Sequence, residues 1–78
     1  MALIRDFVPG DIEAKPPRTQ VDGYFTEVNA DDGTLLLYLY NYSKDGPKPG
    51  ATPTQSLHFD RSAAMAFKKI LEDTFGEL

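Results

Sequence analysis

The chain contains no cysteine and a single histidine among its 78 residues. Without cysteine there can be neither disulfides nor thiolate metal sites. With His58 alone, a zinc site would have to be built almost entirely from carboxylates, which is not how such sites are made. No metal or cofactor is therefore expected. The longest apolar run, Leu35–Tyr40, is far too short for a membrane span. The first eight residues, Met1–Val8, mix charges and lack the apolar stretch of a signal peptide. These absences together point to a cytoplasmic protein without membrane association. Basic residues are also scarce: eight Lys and Arg against twelve Asp and Glu give a net charge of −4. Such a balance disfavours an extended phosphate-tracking surface, because nonspecific nucleic-acid affinity comes from cations displacing counterions. It leaves room for a local basic patch.

What is present is one small domain's worth of chain, 41% apolar and 26% charged, an ordinary globular composition. A core of this size needs good patterning, a partner subunit, or both.

The clearest pattern lies at the C-terminal end. Ala63, Ala64, Phe67, Ile70, Leu71, Thr74, Phe75 and Leu78 recur at spacings of three and four, which gathers them on one side of a helix over Arg61–Phe75. Lys68, Lys69, Glu72 and Asp73 fall on the other side. Asp60 is placed to cap the first free N–H groups, and Gly76 can adopt the positive φ that ends a helix.

Gln20–Val28 and Thr34–Tyr42 are rich in β-branched and aromatic residues, and Asn29–Gly33 between them has turn chemistry. A hairpin pairing Val28 with Thr34 sets Tyr24 opposite Tyr38 and Phe25 opposite Leu37. Side chains alternate across a strand, so one face collects Val21, Phe25, Leu35, Leu37 and Leu39. The other collects Tyr24, Leu36, Tyr38, Tyr40 and Tyr42. Ser43–Thr54, with three Pro and two Gly, reads as a long loop. Gln55–Phe59 reads as a short strand, adding Leu57 and Phe59 to the aliphatic face and Ser56 and His58 to the tyrosine face. The first eight residues are a further strand candidate, and Pro9–Thr19 a linker or arm. The expected fold is a single α+β domain over residues 1–78: an antiparallel sheet of three to four strands with the helix packed on its aliphatic face.

Nothing in the chain remains to cover the tyrosine face. A row of aromatics on an open sheet offers stacking platforms for bases. It serves a protein interface or homodimer equally well, and tyrosine also occurs simply on the wet side of antiparallel sheets. Lys44 and Lys48 sit in the loop beside this face, where they could hold a phosphate backbone or be merely solvated. Asn29, Asp31 and Asp32 are explained by the hairpin turn better than by calcium, since the loop is short and lacks a terminal glutamate. Met65 falls on the polar side of the helix, where an exposed methionine is either a partner contact or an isolated apolar residue. His58 lacks a recognisable nucleophile partner, although Asp60 and Ser62 follow closely, so no catalytic residue is assigned and the protein reads as non-enzymatic.

Thr34–Phe75 resembles the single-stranded-DNA-binding transcriptional coactivators of the positive-cofactor-four type and the related purine-rich-element-binding fold. The likeness lies in the aromatic-ended strand Leu35–Tyr42, the loop Asp45–Gly50, a short strand with Ser56-Leu57, a polar cap and one helix. The resemblance implies a curved sheet, homodimerisation through helices and strands, and single-stranded nucleic acid lying on the sheet. Tyr38, Tyr40 and Tyr42 would then stack, and Lys44 and Lys48 would touch phosphates. Asp22, Glu27, Asp31 and Asp32 make the hairpin acidic where such a surface would be basic. The expected function is a binding module whose ligand is single-stranded nucleic acid, or alternatively a protein-interaction module or small acidic inhibitor; Tyr24, Tyr38, Tyr40, Tyr42, Lys44 and Lys48 form its binding surface.

Overall fold

The computed structural model describes residues 2–78. Four strands, β1 (Leu3–Ile4), β2 (Tyr24–Asn29), β3 (Leu35–Asn41) and β4 (Gln55–Phe59), precede one helix, α1 (Arg61–Phe75). They form one sheet in the order β1-β4-β3-β2. The α+β fold is as expected, with one difference. The sheet is mixed, because β1 runs parallel to β4, with Leu3 beside His58 and Ile4 beside Phe59. A parallel pair needs a long connection, and here the whole of β2 and β3 supplies it. Met1, the first residue of the expected N-terminal strand, lies outside the described residues.

The helix has the expected bounds because its ends are set locally. The Asp60 carboxylate accepts a hydrogen bond from the Ala63 N–H at 2.8 Å, and the Gly76 N–H donates to the Glu72 carbonyl at 2.8 Å with φ at 88°. Lys69 and Asp73, one turn apart, form an exposed ion pair at 3.6 Å, worth a few tenths of a kcal/mol, about 0.3. This helix is too short and too polar to cross a membrane.

The hairpin register differs from the expected one by two positions. Tyr24 pairs with Tyr40, Thr26 with Tyr38 and Asn29 with Leu35. The turn is Ala30–Thr34, not Asn29–Gly33: the Ala30 N–H donates to the Thr34 carbonyl, the Gly33 N–H to the Ala30 carbonyl, and the Thr34 N–H to Asp32 Oδ1. Gly33 takes φ 86°, open to glycine without strain. In this register residues 20–22 fall opposite positions 42–44, beyond the end of β3, so β2 starts at Tyr24. A two-residue shift leaves every side chain on its expected face.

The core is small and lies at one side of the sheet. Phe59 and Ala63 are buried, at 6% and 4% exposure. Phe59 stacks on Phe67 of the helix at 5.5 Å and on Phe7 at 6.0 Å, and Phe7 stacks on Phe67 at 5.3 Å. Phe7 thus pins the N-terminal segment beneath the helix. The helix does not cover the aliphatic face as a whole. Only Asp60 separates it from β4, and a helix about 10–12 Å wide spans roughly two strands spaced about 4.8 Å apart. It seats over β4 and its neighbours and leaves β2 bare, so that Phe25 is 74% exposed. Residues 8–23 are exposed throughout and carry neither helix nor strand.

Candidate functional site

Alternation along β2, β3 and β4 brings Tyr24, Tyr38, Tyr40 and His58 onto the face away from the helix, and Tyr42 follows at the end of β3. All five side chains are half-buried. Cross-strand pairing sets Tyr24 against Tyr40 and Tyr38 against His58. Tyr38 and Tyr40 lie two apart on β3, which is the same-face spacing.

The rings form a continuous row. His58 stacks on Tyr38 with centroids 4.5 Å apart and planes at 27°. Tyr38 stacks on Tyr40 at 4.9 Å and 19°, and Tyr40 on Tyr24 at 5.5 Å and 23°. Tyr42 closes the row edge-on, at 5.4 Å from Tyr24 and 5.9 Å from Tyr40, with planes near perpendicular at 82° and 83°. Rings side by side in one plane keep their centroids more than about 6 Å apart, since carbons of different rings approach no closer than about 3.5 Å. The near-parallel rings are therefore stacked with a lateral offset, least so between His58 and Tyr38. The tyrosines do not lie in one plane and are not a flat platform.

The end of the row at Tyr24 and Tyr42 opens into a depression of about 530 Å³, lined also by Gln20, Asp22, Ser43 and Lys44. Lys44 lies within a turn closed by the Gly46 N–H and the Ser43 carbonyl. Lys48 begins a second turn, closed by the Ala51 N–H, and does not line the depression. The loop is thus more structured than its composition suggests. Its base is fixed where Asn41 and Gln55 exchange two hydrogen bonds of 3.1 Å and the Thr54 N–H donates to the Asn41 carbonyl at 2.8 Å. A second depression, between Tyr38 and the segment Thr52–Ser56, borders the row along β4.

The structure thus gathers Tyr24, Tyr38, Tyr40 and Tyr42, adds Lys44 at one end and leaves Lys48 apart. It also gives His58 a place. Sequence alternation put His58 on this face, but its role as the row's terminal ring becomes visible only with the β3–β4 register. Asp60, near His58 in sequence, has its carboxylate engaged at the helix N-terminus. Among the described residues no group of acidic and histidine side chains could hold a metal ion. No family model, curated protein or solved structure matches this chain.

Proposed function

We propose that the protein is a non-enzymatic binding module that takes single-stranded nucleic acid at the tyrosine row. The observation that carries this reading is the depression at the end of the row. It combines the aromatic walls of Tyr24 and Tyr42 with the amide of Gln20, the hydroxyl of Ser43 and the cation of Lys44. A volume of about 530 Å³ has room for a nucleotide. A base adds to the row as one more layer, and Lys44 meets the adjoining phosphate. Base–aromatic stacking of this kind is worth about 1–3 kcal/mol per base and needs no sequence code.

Titration with a labelled single-stranded oligonucleotide at low and moderate salt tests the reading. Tyr24→Ser should weaken binding by at least about fivefold, and Lys44→Ala should lower the slope of affinity against salt by about one ion. Absence of binding at low salt, where the phosphate contribution is largest, sinks it. A second reading, a protein-interaction surface, draws on two observations. Asp22 lines the same depression as Lys44, and the half-buried tyrosines are of a residue type enriched in protein interfaces. Binding that ignores Tyr24→Ser and Lys44→Ala in the oligonucleotide assay favours that alternative.

A further inference from the structure

The sheet has two edges, and they are not alike. β1 forms one with two residues, Leu3–Ile4, and β2 forms the other with six, Tyr24–Asn29. Unpaired N–H and C=O groups template further strands, so natural edges are blunted by shortness, proline, lysine, a bulge or a covering segment. β1 is blunted by its length. β2 contains neither proline nor lysine and pairs with β3 residue for residue, without a bulge. Among the described residues it makes no backbone hydrogen bond to the segment 8–23 that precedes it.

The groups that β2 turns outward follow from its pairing. The Ala30 N–H donates to the Thr34 carbonyl, so these two residues are a hydrogen-bonded pair of the β2–β3 ladder. Bonded and non-bonded pairs alternate along an antiparallel ladder, which makes Val28, Thr26 and Tyr24 the bonded residues of β2. Phe25, Glu27 and Asn29 therefore point both backbone groups away from β3, and no strand lies on that side. Their side chains share the helix-side face where α1 does not reach, and Phe25 is 74% exposed. The edge thus presents alternating donors and acceptors beside an uncovered aromatic ring.

Charge discriminates between occupants of this edge. Glu27 is the middle residue of the three, and among the described residues it makes no ion pair. Were β2 of a second copy to add here antiparallel and in full overlap, Glu27 would face Glu27 and Phe25 would face Asn29. Like charges directly opposite destabilise a strand pair. A strand with lysine or arginine at that position meets the opposite sign instead. Asp60 and Arg61 border the groove beside Glu27, but they follow β4, two strands in from the edge, and their own signs are opposite.

We infer that the outer edge of β2 docks an extended segment of a partner protein as a fifth, antiparallel strand. Its residues opposite Asn29, Glu27 and Phe25 are polar, basic and large apolar in that order. The two between them, beside Val28 and Thr26 on the tyrosine side, are β-branched. In this mode main-chain hydrogen bonds supply affinity and alternate side chains supply selection. The inference does not depend on what the tyrosine row binds.

The probe is the capped, fluorescein-labelled peptide Thr-Val-Lys-Val-Phe, titrated by fluorescence anisotropy while amide chemical shifts are followed on the protein. Binding should be saturable and should move the amides of Phe25, Glu27 and Asn29 most. N-methylation of the peptide's lysine removes an N–H that faces β2 and should weaken binding by at least about fivefold. N-methylation of either valine, whose N–H faces away, should leave binding within about twofold. Exchanging the peptide's lysine for glutamate should weaken binding by at least about threefold, and Glu27→Lys should invert that preference. Glu27 is exposed, and the N-methylation comparison uses the unmodified protein, so the test stands even if the variant folds poorly. Millimolar peptide that leaves the three amides unmoved overturns the proposal. So do shifts that gather on Tyr38 and Tyr40 instead, equal binding of the lysine- and valine-methylated peptides, or a folded Glu27→Lys protein with unchanged preference. Movement of the same amides with protein concentration alone also overturns it, by assigning the edge to a second copy.

Discussion

Phe59 should dominate the stability of this protein out of proportion to its size. It is the last residue of β4, flanked by Leu37 on β3 and Ile4 on β1, and it lies under Phe7 and Phe67. At 6% exposure it is the large residue of the core. Truncation to alanine removes its transfer free energy and leaves a cavity, at a typical cost of about 3–5 kcal/mol. A chain of this length has roughly 4–12 kcal/mol to lose, so Phe59→Ala removes a quarter of it or more. Phe7 and Phe67 are half-buried in the same stack, and each alanine substitution there should cost about half as much, roughly 2 kcal/mol. Urea unfolding followed by far-ultraviolet circular dichroism measures all three. With a urea dependence of about 1–3 kcal/mol per molar, Phe59→Ala should lose most of its folded baseline. Phe59→Ala within about 1 kcal/mol of wild type would refute this account of the core.

Two further outcomes follow from local hydrogen bonds. Asp60→Ala deprives the Ala63 N–H of its 2.8 Å acceptor and should cost about 1 kcal/mol, lowering the melting temperature by about 4–8 °C; an unmoved melting temperature would dismiss the cap. Asp32 is held below the ordinary carboxylate range by the Thr34 hydroxyl first and then by the Thr34 N–H. Because its folded value is depressed, its contribution is present in full above the unfolded value near 3.8 and fades as the pH falls through the folded one. Asp32→Asn should therefore flatten the acid limb of the stability profile and leave the neutral region nearly unchanged; equal acid sensitivity in both proteins would reject the assignment.

The elements legible in the sequence are those whose ends are set by neighbours in the chain. Asp60 and Gly76 bound the helix, and β4 ends where the cap begins, so both elements appear where expected. The hairpin was legible in its faces but not in its register, because the turn depends on which of Asn29 and Ala30 closes it. The pairing of β1 with β4 was not legible at all. It joins residues 55 positions apart, Leu3 to His58, and a two-residue strand carries no alternation to read. Phe7 escaped for the same reason, since its stack partners, Phe59 and Phe67, are as distant in sequence.

The tyrosines share a face in either register, because the two registers differ by an even number of residues. A strand repeats every two residues, so a slip of two changes the partner of Tyr24 from Tyr38 to Tyr40 and leaves both on the same face. What alternation cannot convey is how rings on one face meet each other. Composition suggests a flat platform of tyrosines. The observed centroid distances and interplanar angles instead require rings stacked with a lateral offset, in planes that are not shared. The same sheet explains the opposite error on the other side. Alternation assigned Phe25, Leu35 and Leu37 to the helix, but a helix joined to β4 by one residue cannot reach β2. The tyrosine face looks uncovered in sequence, and in the structure its rings are half-buried against one another. The aliphatic face looks covered in sequence and is half bare. The bare apolar surface is therefore the part of the sheet beside α1 that carries Phe25, Leu35 and Leu37, while the tyrosine rings stack on one another across the opposite face.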